Sequence, residues 1–499
     1  MKLADTLHRL FGAPSSKSTK PARPARRTRS HRLTLESLEK REVFSTDLLS
    51  AFAYGNEVGQ TSPMDIAADA AGNSYVSGWF AGTVDFDPLA AHADNSDLLT
   101  ALGFQDGFIA KYAPDDSLLW ALRIGGDSAL TSGGIAGDSA NSIQVDTSGN
   151  LYVAGSFNSA TADFGSQTLT PVGARDGFVM KLNSSGTVQW VNPLGGVNND
   201  QGLGVGVDGS GNVYALNYRH DTDSAKWGID VLKFSSNGTA QWVKSVNTGS
   251  SIADMSVDSA GNVFVAGFFS NTSRTVDFDP GPKTNNQLTG GLGQGSYVLK
   301  LNTQGNFGWV SVFKGQANSY SWASEVAVDS NGNVIVGGLY SGTVDFNPGT
   351  ATKYVTGDGA YVTKLNRNGG LVWVKTMEST DSTGVSGLAV DSANNIYAVG
   401  SFTGTTDFDP SAGTAARTSA GSMDGYVLNL TSAGAFGWVE TFDGTGEDRA
   451  MGVAVDGNQT VHVAGFFYGS VDFDSGPVSN VLTASNTYRS GYRLRLRRS

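Results

Sequence analysis

The chain of 499 residues contains no cysteine, which excludes disulfide bonds and thiolate metal sites. No run of 18 or more apolar residues is present, so the sequence does not predict a membrane-spanning helix. Runs of helix-forming residues are also few, whereas glycine alone accounts for 65 positions. Stability must therefore come from packed strands, and many short strands separated by turn signals predict an all-β fold.

Positive charge is scarce in most of the chain. Residues 1–48 contain eleven Lys/Arg against five Asp/Glu, and the last eleven residues contain five Arg and no acid. The remaining residues, 49–488, carry 18 basic and 41 acidic side chains, a net charge of −23. An acidic body of this kind repels phosphate, so we expect no nucleic-acid binding by it. Solvation of the surface is one explanation of the acidity, and cation binding is the other.

One motif, Val-Asp-x-x-Gly-Asn-x-Tyr-Val-x-Gly or a close variant, occurs seven times. Its aspartates are Asp69, Asp146, Asp208, Asp258, Asp329, Asp391 and Asp456. The residues nine positions later are Gly78, Gly155, Asn217, Gly267, Gly338, Gly400 and Gly465. This spacing is constant while successive copies lie 50 to 77 residues apart, so the motif predicts one hairpin repeated in fixed register.

A second hairpin follows the first in six of the repeats. Its ends are nine residues apart at Lys111 and Trp120, Lys181 and Trp190, Lys233 and Trp242, Lys300 and Trp309, Lys364 and Trp373, and Asn429 and Trp438. Each repeat is therefore predicted to be a four-stranded antiparallel unit. Such a sheet has two apolar faces and buries both only against neighbours, which is the β-propeller arrangement. We expect the tryptophans to be packing residues between the units.

In these two hairpins the chain resembles the bacterial β-propeller repeat proteins, including the seven-bladed type. The stretches that carry the resemblance are, for example, 257–267 with 300–305 and 145–155 with 181–186. It covers about residues 49–497. The resemblance implies the fold and says little about activity, because propellers have many unrelated functions.

The ends of the repeat region predict how a ring would be joined. The seventh repeat has strand patterns at 451–455, 461–467 and 491–496, and no tryptophan strand follows. The segment 48–55 precedes Asp69 at the distance expected of a fourth strand. We therefore predict that residues 48–499 form a seven-bladed β-propeller of four-stranded antiparallel blades, closed by an N-terminal strand in the last blade.

The loops between the second and third strands and the crossovers between repeats vary in length. In an up-and-down unit these segments share one face, here called the variable-loop face, and variable loops on a rigid scaffold commonly bind ligands. The third repeat deviates most, and its loop offers a candidate ligand site at Arg219, His220, Asp221, Lys226 and Trp227. Drift of an unused loop is the alternative explanation.

A Val-Asp-Phe-Asp-Pro segment recurs in the same loops. If it is extended, the valine and phenylalanine point inward and the two aspartates project together. Candidate calcium ligands are therefore Asp85, Asp87, Asp277, Asp279, Asp407, Asp409, Asp472 and Asp474. In the alternative interpretation these aspartates accept backbone hydrogen bonds at a strand end. No other cofactor is expected.

No Ser-His-Asp spacing, metal-ligand cluster or phosphate-binding glycine loop is present, so no catalytic residue is predicted. We expect a monomeric, non-enzymatic scaffold that binds a protein or glycan ligand on the variable-loop face. One alternative is a propeller enzyme, a glycan lyase or hydrolase, with carboxylates near the central axis. A calcium-stabilised structural surface protein is the other.

Residues 1–47 are predicted to be a disordered basic arm. Within it, residues 33–41, followed by Leu48-Leu49-Ser50, resemble an N-terminal element of many exported planctomycete proteins. The resemblance implies export to the cell envelope or exterior. A cytoplasmic basic tail that binds nucleic acid is the alternative.

Overall fold

The computed structural model describes residues 46–54, 59–87, 97–127, 137–220, 227–248, 253–269, 276–281, 287–288, 294–474, 479–484 and 488–498. The predictions for the basic arm and for most of the export element lie outside these residues. Within the described ranges the secondary structure is strands and turns without helix, as expected of an all-β fold. Accordingly, no described segment is a helix long and apolar enough to cross a membrane.

The strands of the first half are, in chain order, β1 (Thr46–Tyr54), β2 (Gln60–Ala68), β3 (Ser74–Ala81), β4 (Thr83–Asp85), β5 (Leu98–Thr100), β6 (Asp106–Tyr112), β7 (Leu118–Ile124), β8 (Ser139–Val145), β9 (Leu151–Phe157), β10 (Ala162–Asp163), β11 (Thr168–Leu169), β12 (Asp176–Leu182), β13 (Val188–Leu194), β14 (Asn199–Val207), β15 (Val213–His220), β16 (Gly228–Phe234) and β17 (Ala240–Val246). Those of the second half are β18 (Ala253–Val257), β19 (Val263–Phe269), β20 (Val276–Asp277), β21 (Gln287–Leu288), β22 (Gly295–Leu301), β23 (Phe307–Gly315), β24 (Tyr320–Val328), β25 (Val334–Asp345), β26 (Tyr354–Leu365), β27 (Leu371–Ser379), β28 (Thr383–Val390), β29 (Ile396–Phe402), β30 (Thr405–Asp407), β31 (Ala416–Thr418), β32 (Asp424–Leu430), β33 (Phe436–Gly444), β34 (Arg449–Val455), β35 (Val461–Phe467), β36 (Ser470–Asp472), β37 (Val481–Thr483) and β38 (Ser490–Arg498).

The long strands pair antiparallel in sets of four, which we number as repeats. Repeats 1 to 6 are β2-β3-β6-β7, β8-β9-β12-β13, β14-β15-β16-β17, β18-β19-β22-β23, β24-β25-β26-β27 and β28-β29-β32-β33. Repeat 7 is β34-β35-β38, and its fourth strand is β1, which pairs antiparallel with β38 from Tyr54 opposite Gly491 to Thr46 opposite Arg498. The first strands of successive repeats contact one another, and β34 also contacts β2.

Each motif aspartate organises the turn of the first hairpin. In repeat 5, Asp329 Oδ1 accepts hydrogen bonds from the backbone N–H groups of Asn331 (2.9 Å) and Asn333 (2.8 Å). The Asn333 side chain donates to Asp329 Oδ2 at 2.8 Å, and Gly332 between them has φ of 75°. The Asp, Gly and Asn of the motif are thus the residues that this turn needs, as the sequence predicts.

Six repeats have a glycine nine residues after the motif aspartate, and in repeat 5 a close approach of two strands requires it. A Cβ atom on Gly338 would overlap the carbonyl oxygen of Trp322 on the neighbouring first strand. The register shifts between Ala323 and Glu325, so a β-bulge bends the first strand toward that glycine. First strands of six repeats carry such a shift, at Met64, Asn141, Leu203, Ser324, Ser386 and Met451.

The tryptophans of the fourth strands pack against the next repeat, which confirms their predicted role. The indole of Trp190 lies against Gly238, and its Nε1 donates to the carbonyl oxygen of Ser236 at 3.2 Å. Gly238 has φ of 85°, so glycine serves both the turn and the contact. The equivalent contacts in other repeats are Trp120 with Gly186, Trp242 with Gly305, Trp309 with Gly369, and Trp373 with Gly434.

The contact between repeats 7 and 1 has a different chemistry. Arg493, which is fully buried, forms an ion pair with Asp116 and lies over the rings of Phe52 and Tyr112, 4.7 and 4.8 Å from their centroids. Arg495 contacts the same carboxylate at 3.1 Å. Asp116 stands where repeats 2 to 6 have the turn glycine and has φ of 72°. An ion pair therefore replaces the tryptophan-glycine contact here.

We expect Asp116→Gly to destabilise the protein although glycine suits the backbone. Relief of the left-handed conformation contributes about 1 kcal/mol, whereas a buried arginine without its partner costs about 3–5 kcal/mol. The free energy of unfolding in urea at pH 7 should therefore fall by roughly 2–4 kcal/mol. As a control, Gln459→Gly changes an exposed residue with φ of 64° and should leave stability within about 1 kcal/mol. Unchanged stability of the Asp116 variant would contradict the importance of the pair.

Candidate functional site

The ligand site predicted in repeat 3 is only partly described. Asp221 and Lys226 lie outside the described residues. The rings of His220 and Trp227 are in contact, with centroids 4.3 Å apart. Arg219 forms an ion pair with Asp230 and donates to Asn247 Oδ1 at 2.7 Å, so its guanidinium is bound within the repeat. The structure brings the two aromatic residues of the prediction together and gives the arginine a structural partner.

The aspartates predicted as calcium ligands accept backbone hydrogen bonds. Asp85 accepts from the N–H of Asp87 at 2.8 Å. The same contact joins Asp277 to Asp279, Asp407 to Asp409, and Asp472 to Asp474. Asp87 and Asp409 are buried. The described residues contain no group of three or more acids, histidines or cysteines able to hold a metal ion. Calcium binding stays a prediction.

The phenylalanine between these aspartates fills the core. Phe86 is fully buried, and its ring centroid lies 4.8 Å from that of Phe108 on the third strand. Equivalent pairs, 4.7–4.9 Å apart, are Phe164 with Phe178, Phe278 with Tyr297, Phe346 with Tyr361, Phe408 with Tyr426, and Phe473 with Tyr492. The turn made by the aspartates is therefore what directs the phenylalanine inward.

A set of partly exposed aromatic residues lies at the variable-loop ends of the strands. The ring of Phe268 stacks on Trp322 of the next repeat at 5.2 Å, and Tyr320 lies 5.1 Å from the same indole. Trp322 Nε1 donates to Gln294 Oε1 at 3.3 Å. We call these four residues the Trp322 cluster. It joins repeats 4 and 5, and its members are half-buried.

A second cluster joins repeats 7 and 1. The guanidinium of Arg489 lies 4.2 Å from the ring centroid of Trp79 and 4.8 Å from that of Phe466. Burial lowers the pKa of Arg489, and Tyr468 and Glu447 oppose that shift. The cation is therefore held between two aromatic faces, a stabilising arrangement.

These aromatic residues share a position that the sequence analysis missed. Trp79, Tyr218, Phe268 and Phe466 are each ten residues after the motif aspartate of their repeat. The equivalent residues elsewhere are Ser156, Leu339 and Ser401. In every repeat except the fifth, where β25 continues to Asp345, the second strand ends within two residues of this position, which therefore lies toward the variable-loop face. An alignment of the seven copies by their aspartates would have revealed it.

The second candidate site is a cavity of about 540 Å³ lined by residues from the first strands of all seven repeats. Asp65, Asp254 and Glu325 lie in its wall, together with small residues such as Ser142 and Gly387. These five residues are all four positions before their motif aspartate. The same position holds Gly204 and Gly452 in the other repeats. In six of the seven repeats a bulge immediately precedes this position.

Two of the acids also bridge neighbouring structure. Asp65 accepts hydrogen bonds from the backbone N–H groups of Ile66 (2.8 Å) and of Ile143 in the next repeat (2.9 Å). Asp254 accepts from Val326 in the next repeat at 2.9 Å. These carboxylates accept hydrogen bonds from N–H groups of the first strands, and both residues also line the cavity.

Burial raises the pKa of all three acids. The pKa of Asp65 is raised to about 6 and that of Asp254 to about 7, although backbone hydrogen bonds oppose both shifts. Burial, together with the charges of Asp254 and Asp65, raises the pKa of Glu325 well above its ordinary value. The described lining includes no lysine, arginine or histidine to offset them. Groups with such shifts often occur in functional sites.

Known proteins provide a limited comparison. No family model matches the chain. An uncharacterized WD repeat-containing protein of Acanthamoeba polyphaga mimivirus is 25% identical over 520 aligned positions, which cover 85% of this chain and 36% of that protein. The chain thus spans about a third of the length of this curated relative. A β-propeller-like repeat fold agrees with the WD-repeat name and with the four-stranded sheets.

Solved structures that match the chain share little sequence with it. The Pan2 WD40 domain of Neurospora crassa matches at 8% identity and a TM-score of 0.40, over 90% of this chain and 97% of that one. Sqt1 from Chaetomium thermophilum matches at 11% identity and a TM-score of 0.40, over 91% of this chain and all of that one.

The cavity acids predict a pH dependence of stability. A carboxyl group whose pKa is raised in the folded state contributes to the free energy of unfolding at low pH. This contribution is complete below the ordinary pKa near 4, and it is lost as pH rises through the raised pKa of the folded protein. Glu325→Gln removes one such group. Its stability gain over the natural protein, measured by urea unfolding, should therefore be larger at pH 8 than at pH 5. Glu378→Gln, an exposed change on β27, should give a difference independent of pH. A pH-independent effect of Glu325→Gln would contradict this assignment.

Proposed function

We propose that the protein is an exported, non-enzymatic scaffold that binds a protein or glycan ligand on its variable-loop face. In this proposal the seven repeats form a closed seven-bladed propeller, with β1 as the outer strand of the last blade. The contacts of β34 with β2 and the pairing of β1 with β38 support the ring. We also propose that the protein is a monomer. In a closed ring the first and last repeats leave no unpaired sheet edge through which a second copy could pair.

The aromatic clusters of the variable-loop face carry the binding proposal. The Trp322 cluster, the Arg489 contact with Trp79, and the His220–Trp227 pair involve three regions of the same face. Tryptophan, tyrosine and arginine are the residues that contribute most to binding energy at interfaces. Aromatic rings with a polar edge also suit both protein and sugar surfaces.

The binding proposal is tested by an unbiased glycan and protein screen on the full chain, with and without calcium. For a ligand found in this screen, Trp322→Ala or Trp79→Ala should weaken binding at least about tenfold, since hot-spot residues contribute 2 kcal/mol or more. Leu119→Ala is the control, because Leu119 is an exposed apolar residue on the fourth strand of repeat 1 and belongs to none of the aromatic clusters. A ligand that tolerates both aromatic changes would contradict the placement of the site.

Comparison of the screens with and without calcium distinguishes the binding scaffold from the calcium-stabilised structural surface protein. Binding that requires calcium, and is lost on changing Asp277 or Asp472 to Asn, would favour the calcium-stabilised surface protein. The enzyme alternative has support from one observation, the three carboxyl groups of the cavity. A glycan that is cleaved during the screen, and is not cleaved by Glu325→Gln, would favour the enzyme.

Export is supported by the N-terminal element alone. We expect the protein in the envelope or external fraction of its native cells, because the resemblance of residues 33–50 implies passage across a membrane. Fractionation followed by immunoblotting with an antibody against the repeats checks this. Recovery of all the protein with the cytoplasm would contradict export and favour a cytoplasmic basic tail.

A further inference from the structure

The cavity wall concentrates negative charge without a balancing base. Its three carboxyl groups are those of Asp65, Asp254 and Glu325, in repeats 1, 4 and 5. The charges of Asp65 and Asp254 both raise the pKa of Glu325. The described lining residues include none with positive charge. Carboxyl groups so placed repel one another when ionised, and a cation between them removes that cost.

Glu325 differs from the two aspartates in having no hydrogen-bond partner among the described residues. Asp65 and Asp254 are each held by backbone N–H groups of the next repeat. Glu325 is half-buried and lines the cavity. A carboxyl group that faces a cavity without a protein donor can accept hydrogen bonds from a ligand with N–H groups.

The size of the cavity and the spread of the acids indicate the kind of cation. A volume of about 540 Å³ lies in the range of pockets that hold small organic molecules. A directly bound metal ion needs its ligands to converge on one point, and the described residues contain no such group of three. Apolar side chains, among them Leu203, Leu388 and Met451, fill the wall between the acids. They would contact the carbon chain of an organic ligand.

We propose that this cavity binds an organic cation with two or more protonated amino groups, with Glu325 and Asp254 as the principal partners. Each ammonium group would donate charge-assisted hydrogen bonds to a carboxylate. The methylene chain between the ammonium groups would lie against the apolar wall. The proposal is independent of the ligand on the variable-loop face.

Isothermal titration calorimetry on the full chain at pH 7 tests it, with spermidine and 1,4-diaminobutane as probes and 1,4-butanediol as the neutral control. We expect saturable binding of the amines and no heat from the diol. Because a cation favours ionised carboxyl groups, binding should release protons, and the measured enthalpy should change between buffers of different ionisation enthalpy. A merely structural role of the acids would produce no such release.

Matched variants assign the site. Glu325→Gln should weaken amine binding about tenfold or more, which corresponds to 1.4 kcal/mol, and Glu325→Gln combined with Asp254→Asn should abolish it. Glu378→Gln removes the same charge from an exposed position and should change the affinity by less than about twofold. Thermal unfolding of each variant establishes that it is folded.

Three results would overturn the proposal. The first is absence of saturable heat with either amine. The second is equal weakening by Glu325→Gln and Glu378→Gln, which would mean nonspecific attraction to an acidic surface. The third is saturable binding of calcium chloride, run in the same way, without binding of the amines.

Discussion

The structure depends on the contact through which each four-stranded repeat covers the apolar face of the next. In repeats 1 to 5 the indole of the fourth strand packs on a turn of the following repeat, as Trp190 does at Gly238. Between repeats 7 and 1 the Arg493–Asp116 pair takes the place of this contact, with a buried charge instead of a half-buried indole.

Packing of successive repeats also determines which side chains of the first strands line the cavity. The bulge in six of the first strands brings that strand against the glycine of the second and directs the following side chain into the cavity. At this position glycine and serine leave space, whereas an acid adds charge. Three acids among seven equivalent positions therefore make the cavity acidic. The first strand thus contributes both to the packing of the repeats and to a candidate ligand site.

The two candidate sites differ in how they relate to the repeat. On the variable-loop face, the position ten residues after the aspartate is aromatic in four repeats. In two of them its partner comes from a neighbouring repeat, as Trp322 does for Phe268 and Arg489 for Trp79. In the cavity, the position four residues before the aspartate is acidic in three repeats. Neither position belongs to the turn of the first hairpin. At the cavity position, Asp65 and Asp254 also accept backbone hydrogen bonds from the next repeat.

The sequence alone determined the repeat, its strands and the roles of its most regular residues. The turn at Asp329, the packing of the tryptophans and the inward phenylalanines were predictable because each depends on neighbours close in the chain or repeated at constant spacing. Strand ends were less predictable: β25 runs to Asp345, well beyond Gly338 at the end of the motif, because its residues after Gly338 continue to pair with β26.

Only the tertiary structure decided which side chains meet across repeats. Asp65 and Glu325 are 260 residues apart in the chain, and no local spacing indicates that they line one cavity. The partner of Arg219 and the burial of Asp87 were likewise set by packing. The physical reason is that local hydrogen bonds shape each hairpin, whereas the arrangement of first strands around a common cavity arises only when the repeats assemble.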